Sequence, residues 1–182
     1  NYYSSQQKNI TCILPIEQLD FIVTGSNDTY TDSTTSRYSV RTFVISKNLD
    51  AEPRILAGHQ KGIKELVFSN EFRYLISCSY EFDIVVWNPY VEQPITKLLG
   101  NFEQTILNSG HEAPILGVCL PSKTGYIISC DMKGITKIWD AKNLFIIETK
   151  HVDTAHLKCM ASVPKHKRII FGGKIKTIII ND

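Results

Sequence analysis

Short runs of apolar and β-branched residues follow one another along the whole chain, and turn-forming residues separate them. Ile63–Ser69 and Tyr74–Ser79 are two such runs, with Asn, Glu and Arg in the break between them. Runs of this length, bounded by Gly, Asn, Asp, Ser or Pro, predict β-strands. No stretch has the 3.6-residue apolar period of a helix of useful length. The pattern therefore predicts an all-β fold of about fifteen short strands.

The strand pattern repeats. Residues 58–88 and 110–140 align without a gap, and both segments begin with Gly-His and end with Trp followed by Asn or Asp. His59 precedes Trp87 by 28 residues, the same interval that separates His111 from Trp139. Two partial copies flank this pair, with Phe43 and Asn181 at the tryptophan position. Such self-similarity predicts a series of equivalent four-stranded units.

A Gly-His start and a Trp-Asp end with strands between them resemble the WD40 repeat, which forms one four-stranded propeller blade per about 40–45 residues. The resemblance implies a partial WD40-type β-propeller, all-β, with about three and a half antiparallel blades. The expected divisions are a degenerate blade at 1–58 with an inserted loop at 29–38, a blade at 59–100, an inserted loop at 101–110, a blade at 111–156 and an incomplete blade at 157–182. Propellers close with about four to eight blades, so further blades are expected elsewhere in the same protein.

Composition narrows the class of protein. The net charge of +2 gives no general field for nucleic acid or a membrane surface, and 43% hydrophobic residues is ordinary for a globular domain. The five cysteines are an odd, scattered set, which is typical of reduced cytosol. No signal peptide and no apolar run of about 18 residues is visible. We expect a cytoplasmic or cytoskeletal protein that contacts neither a membrane nor nucleic acid.

The resemblance assigns a structural hydrogen-bond network to each full repeat. Its expected members are His59, Ser79, Glu81 and Trp87 in one repeat, and His111, Asp131, Trp139 and Asp140 in the other. An indole N–H is only a donor, so a buried tryptophan needs an acceptor, which Ser79 or Asp131 can supply. Glu81 and Lys133 stand at the expected position of the turn aspartate, so both networks are predicted to be incomplete. Gly134 suits a turn residue with positive φ.

The sequence also offers two more specific chemical interpretations, a catalytic dyad and a zinc site, and both have less support. His111 with Asp131 could form a catalytic dyad, but the same arrangement recurs as a repeat feature, which favours a structural role. His151, His156 and Cys159 have donor types that zinc accepts, yet a fourth ligand is not evident. A phosphate loop, a nucleophile elbow and a His-Glu-x-x-His pattern are all missing. The sequence predicts a protein without catalysis, metal or cofactor.

The turns of a four-stranded meander divide between two faces. The inserted loops at 29–38 and 101–109 both follow second or fourth strands, so they share one face, and insertions on one face often mark a binding face. The candidate protein-binding residues there are Asn101, Phe102, Tyr80, Phe82 and Met132. The opposite face collects Arg73 and the candidate contacts for an acidic surface, which are Lys123, Lys142, Lys165, Lys167 and Arg168. A tubulin surface is one such partner.

One stretch is more specific than the repeat. The segments "VWNPYVE" (Val86 to Glu92) and "GHEAPILGV" resemble a group of WD40 proteins of cilia and flagella, some of which carry EF-hands. This resemblance implies an axonemal, microtubule-associated scaffold whose partners are other proteins of a large complex. A general cytosolic WD40 adaptor is the alternative, because a fold does not fix a function. A propeller enzyme is a third class, and no residues support it.

Overall fold

The computed structural model describes residues 9–31, 36–44, 54–98, 110–121, 125–152, 157–163, 168–173 and 178–181, and it describes side chains there except at 28–31, 36–44 and 178–181. These ranges contain fifteen strands and one 3-10 turn at Glu17–Leu19. The first eight strands are β1 (Ile10–Ile16), β2 (Phe21–Thr31), β3 (Ser36–Val44), β4 (Arg54–His59), β5 (Ile63–Ser69), β6 (Tyr74–Ser79), β7 (Ile84–Trp87) and β8 (Pro94–Leu98). The others are β9 (Ile115–Cys119), β10 (Tyr126–Asp131), β11 (Ile135–Asp140), β12 (Ile146–His151), β13 (Leu157–Val163), β14 (Arg168–Gly173) and β15 (Ile178–Asn181).

Each group of consecutive strands forms one antiparallel meander. The orders are β1-β2-β3-β4, β5-β6-β7-β8, β9-β10-β11-β12 and β13-β14-β15. Strands that follow one another are therefore direct neighbours, which short turns allow in an antiparallel sheet. The prediction of an all-β fold made of four-stranded antiparallel units is confirmed. The last sheet has three strands within the described ranges.

The four sheets group into two compact units. The first unit comprises residues 1–80 and 84–97, and its core is formed by the sheets β1–β4 and β5–β8. Trp87, Leu56 and Leu75 are among the fully buried side chains of this core. The second unit comprises residues 81–83 and 98–182, and Phe171, Ile128 and further side chains form its core between β9–β12 and β13–β15. Each core thus lies between the facing sides of two sheets, where apolar burial stabilises both.

The structure corrects the prediction of an inserted loop at 29–38. β2 and β3 continue into this segment as a hairpin, in which Thr29 pairs with Tyr38, Tyr30 with Arg37 and Thr31 with Ser36. A register shift between Gly25 and Thr29 separates this extension from the rest of the sheet. Thr and Tyr favour strands, and a bulge lets two strands continue past an irregular position. Residues 29–31 and 36–38 therefore extend the sheet.

The remaining sequence expectations have mixed outcomes. The insertion at 101–109 lies outside the described residues, together with Asn101 and Phe102. No helix within the described ranges is long and apolar enough to cross a membrane. Gly134 has φ of +82°, as predicted for its turn.

Burial predicts which thiols react. Cys78, Cys119 and Cys130 are buried, and burial raises the pKa of Cys78, so less thiolate is present at any given pH. Burial also raises the pKa of the partly buried Cys12. At pH 8 we expect iodoacetamide to leave Cys78, Cys119 and Cys130 unmodified in the native protein and to modify them after denaturation in guanidinium, as measured by peptide mass spectrometry. Rapid native labelling of Cys78 would contradict this packing.

Candidate functional site

The indole of Trp87 starts a short chain of buried hydrogen bonds in the first unit, and we call such a chain a relay. Its Nε1 donates to Ser77 Oγ at 2.8 Å, and His59 Nε2 lies 2.7 Å from the same oxygen. Trp87, Ser77 and His59 are all fully buried. His59 ends β4 in one sheet, whereas Ser77 and Trp87 belong to β6 and β7 of the next. The relay therefore ties two consecutive sheets together.

A four-membered version of the relay occurs in the second unit. Trp139 Nε1 donates to Ser129 Oγ at 2.8 Å, Ser129 Oγ lies 2.7 Å from His111 Nε2, and His111 Nδ1 lies 3.0 Å from Asp131 Oδ2. A carboxylate only accepts, so Nδ1 of the imidazole donates to Asp131. The indole, the serine hydroxyl, the imidazole and the carboxylate thus form one continuous chain of hydrogen bonds. Such a fully satisfied network stiffens the sheet that contains it.

The acceptors of the two indoles correct the sequence analysis. Ser77 and Ser129 accept these hydrogen bonds, and Ser79 and Asp131 do not take that position. The expected contact between His111 and Asp131 is present, but the prediction of an incomplete network is wrong for this repeat. A signal existed in the sequence, because each serine stands 18 residues after its histidine and 10 before its tryptophan.

Asp131 also holds the turn that follows β10. Its Oδ1 accepts from the backbone N–H groups of Lys133 and Ile135 at 2.9 and 3.0 Å. Asp131 is therefore the turn aspartate that the sequence analysis expected at Lys133. In the gapless alignment, Ser79 takes the place of Asp131 and Glu81 that of Lys133. Ser79 and Glu81 are buried, and the carbonyl of Glu81 accepts from Ile115 N.

Two motif residues at the repeat ends have local roles. A Cβ at Gly58 would lie 2.6 Å from Cη2 of Trp87, so the glycine of the Gly-His pair leaves room for the indole. The residue after each tryptophan closes a turn with its side chain. Asn88 Oδ1 accepts from Tyr90 N at 2.9 Å, and Asp140 Oδ1 accepts from Lys142 N at 2.8 Å. Asp140 thus serves the turn and not the relay.

The Asp131–His111–Ser129 arrangement has the connectivity of a nucleophilic triad, but its surroundings are different. A nucleophilic serine must reach a substrate carbonyl, with its hydroxyl oxygen open to attack. Ser129 is 0% exposed, and its oxygen already accepts the indole N–H of Trp139. The arrangement is suited to structural support. Among the described residues, no three His, Cys, Asp or Glu side chains are grouped as metal ligands, and His156 lies outside them.

The candidate protein-binding residues occupy turns after β6 and β10. Tyr80 is 46% exposed and Met132 is 51% exposed, at equivalent positions of the two aligned repeats. Lys64 Nζ lies 5.7 Å from the ring centroid of Tyr80, within the range of a cation–π contact. Phe82 is half-buried.

The candidate basic residues are only partly described. Lys142 and Arg168 are exposed, and Lys123, Lys165 and Lys167 lie outside the described residues. Arg73 is exposed with φ of +57°, beside the exposed carboxylate-bearing Glu71.

Comparison with known families agrees with the geometry. The WD domain, G-beta repeat family matches residues 51–88 and 100–140. Each matched segment contains one of the two relays, so both segments have the sequence and the hydrogen bonding of a WD40 repeat. The four-stranded antiparallel sheets of the fold are consistent with the blades of a partial WD40-type β-propeller.

Known proteins support the same fold and add one biological hint. Cilia- and flagella-associated protein 337 B of Tetrahymena thermophila is 28% identical over 127 residues, which are 66% of this chain and 9% of that protein. The computationally designed Ika4 protein matches with a TM-score of 0.71 and 16% identity, over 96% of this chain and 92% of that one. The designed Ika8 protein matches with a TM-score of 0.69 and 16% identity, over 95% of this chain and 46% of that one.

Removing the central hydroxyl of the relay should cost stability. Ser129→Ala leaves the indole N–H and the imidazole nitrogen without their partner, and we expect a loss of about 2–4 kcal/mol in the free energy of unfolding. Thr136→Val is the matched control, because Thr136 Oγ1 is buried and has no hydrogen-bond partner within the described part of the chain. It should be neutral or stabilising by up to about 1 kcal/mol. Urea denaturation measures both, and equal losses would refute the relay.

The two turn glycines with positive φ offer a second matched pair. A Cβ at Gly134 would lie 2.5 Å from the carbonyl oxygen of Val152, whereas a Cβ at Gly125 would meet nothing within 4 Å. Gly125→Ala should cost about 1–2 kcal/mol from the left-handed backbone alone. Gly134→Ala should cost more, because the Val152 carbonyl must also move. Thermal unfolding of both variants checks the order, and a smaller loss for Gly134→Ala would contradict it.

Proposed function

We propose that this protein is a non-catalytic WD40 scaffold of cilia or flagella, built into or onto microtubule-associated complexes of the axoneme. WD40 repeats are protein–protein interaction modules, and the relays above give the blades a rigid frame. The observation that carries the ciliary part is the similarity to the Tetrahymena protein named for cilia and flagella. A general cytosolic adaptor is the second candidate, because WD40 repeats by themselves do not specify a compartment.

The exposed turns after β6 and β10 are the proposed apolar contacts with protein partners. Tyr80 and Met132 present half of their surfaces to solvent from turns whose backbones are fixed by hydrogen bonds. Exposed aromatic residues and methionine are enriched at interfaces, and rigid presentation lowers the entropy lost on binding. The half-buried Phe82 is a further proposed contact, and Asn101 and Phe102, which lie outside the described residues, stay candidates from the sequence.

The basic side chains of the second unit are the proposed contact with an acidic surface such as tubulin. Lys142 and Arg168 are exposed, and Lys123, Lys165 and Lys167 complete the proposed set. Exposed charges act through a screened field, whose Debye length is about 8 Å at 0.15 M salt. Contacts of this kind should therefore weaken with salt, whereas apolar contacts persist.

Localisation tests the ciliary part of the proposal. A fluorescent tag on the full-length protein in its own ciliated cells should label the cilium, and the protein should co-purify with demembranated axonemes. An even cytosolic distribution, with no axonemal fraction, would instead favour the general adaptor.

Two variants separate the proposed surfaces. Tyr80→Ala with Met132→Gln should reduce co-purification at both 0.05 M and 0.3 M salt. Lys142→Glu with Arg168→Glu should reduce it mainly at low salt, because this contact is already screened at 0.3 M. Ile147→Thr, on an exposed strand position outside both surfaces, is the control. If both double variants bind as the control does, neither surface contacts a partner.

A further inference from the structure

The turn between β7 and β8 concentrates exposed apolar residues in the first unit. Tyr90, Val91 and Ile95 are 52%, 48% and 51% exposed, within six consecutive residues. We call residues 88–95 the apolar turn. Single exposed apolar side chains are normal, whereas a contiguous group of them marks an interaction site.

The WD40 repeat itself does not require these side chains. In the gapless alignment of the repeats, Lys142 and Asn143 occupy the positions of Tyr90 and Val91, and both are exposed polar residues. Ile95 corresponds to Ile147, which is also exposed. The equivalent turn forms with polar residues at these two positions, and its exposed aromatic residue, Phe145, aligns with Gln93 instead. The shared architecture of the repeat therefore does not explain Tyr90 and Val91.

The apolar turn is held in one conformation at several points. Asn88 accepts from the backbone of Tyr90 at 2.9 Å through its side chain and from Val91 N at 3.1 Å through its carbonyl. Arg54 donates to the carbonyl of Pro89 at 3.0 Å. The Tyr90 ring meets the buried Phe21 edge-on, with centroids 5.4 Å apart. A turn fixed in this way loses little entropy when it binds, which favours affinity.

Exposed acidic residues lie in the apolar turn and in other turns of the first unit. Glu17 and Asp20 are exposed in the turn that leads into Phe21, Glu92 is exposed within the apolar turn, and Glu71 is exposed in the turn between β5 and β6. Among the described residues of these turns, Arg73 is the one exposed cation, because Arg54 is half-buried against Pro89. The rim is therefore predominantly negative. A partner that covers the apolar side chains meets these carboxylates at its edge, and complementary charge requires it to be basic there.

We infer that the apolar turn is a docking surface for a protein with an apolar pocket bordered by lysine or arginine side chains. Tyr90 and Val91 fill the pocket, and Glu17, Asp20 and Glu92 pair with its rim. This inference rests on the scaffold function proposed above and names one partner chemistry for it. The surface is separate from the turns of Tyr80 and Met132, which follow the second strand of their blades.

Photo-crosslinking in the native complex tests this inference. Benzoylphenylalanine replaces Val91 in the full-length protein in its own cells, and a second strain carries it at Ile147 as the control. We expect crosslinks from position 91, above the control, to a segment of another protein with apolar residues flanked by Lys or Arg. Crosslinks no stronger than at position 147, or to an acidic segment, or to a second copy of this protein, would overturn the inference.

Charge reversal gives an independent measurement. Glu17→Lys, Asp20→Lys and Glu92→Lys together, all at exposed positions, should lower the crosslink yield from position 91 by about fivefold or more. The thermal midpoint should stay unchanged, which shows that the fold is intact. An unchanged yield would refute the basic rim. If the protein does not label the cilium but these crosslinks form, the ciliary localisation alone is wrong. If the protein labels the cilium but these crosslinks do not form, the docking surface alone is wrong.

Discussion

The buried indole N–H of each WD40 repeat is the constraint on which the rest of the fold depends. A tryptophan in the core contributes a large apolar surface, but its N–H must find an acceptor, and an unsatisfied buried donor costs about 1–3 kcal/mol. Ser77 and Ser129 meet this requirement, and a histidine completes each serine's hydrogen bonding. In the first unit that histidine ends β4 of the preceding sheet. The hydrogen bonds that begin at the indole N–H therefore also join two consecutive sheets.

The sequence predicted the strands well because their signal is local. β5 and β6 have the predicted bounds, since β-branched runs and turn residues define them. The choice of serine depends on sheet register, which is not local. Leu75 pairs with Trp87 and Ser77 pairs with Val85, so Ser77 is the diagonal neighbour of the indole on the same face. Ser79 lies two residues farther along β6, about 6.6 Å more distant, and register alone decides between them.

The pairing of residues 29–31 with residues 36–38 was missed for a related reason. Polar threonine and serine residues suggest a loop when their neighbours are unknown, yet the same residues pair well across two strands. Pairing of Thr29 with Tyr38 extends a sheet that already exists, so it needs no apolar face of its own. Sequence patterns report the burial of side chains, and this extension is held by the backbone.

The two relays differ in one member, and this difference explains how the repeat varies. Asp131 joins the histidine to the turn backbone in the second unit, whereas Ser79 holds its position in the first. Both indoles nevertheless keep the same acceptor geometry, at 2.8 Å. The interior of the repeat therefore requires the tryptophan, the serine and the histidine, whereas the sequence at the tips of the turns can vary. Where the turn after the tryptophan is capped by Asn88 or Asp140, its tip can be apolar, as at Tyr90, or polar, as at Lys142. A buried relay that fixes the backbone while leaving the exposed tips unspecified allows successive blades of one scaffold to contact partners of different chemistry.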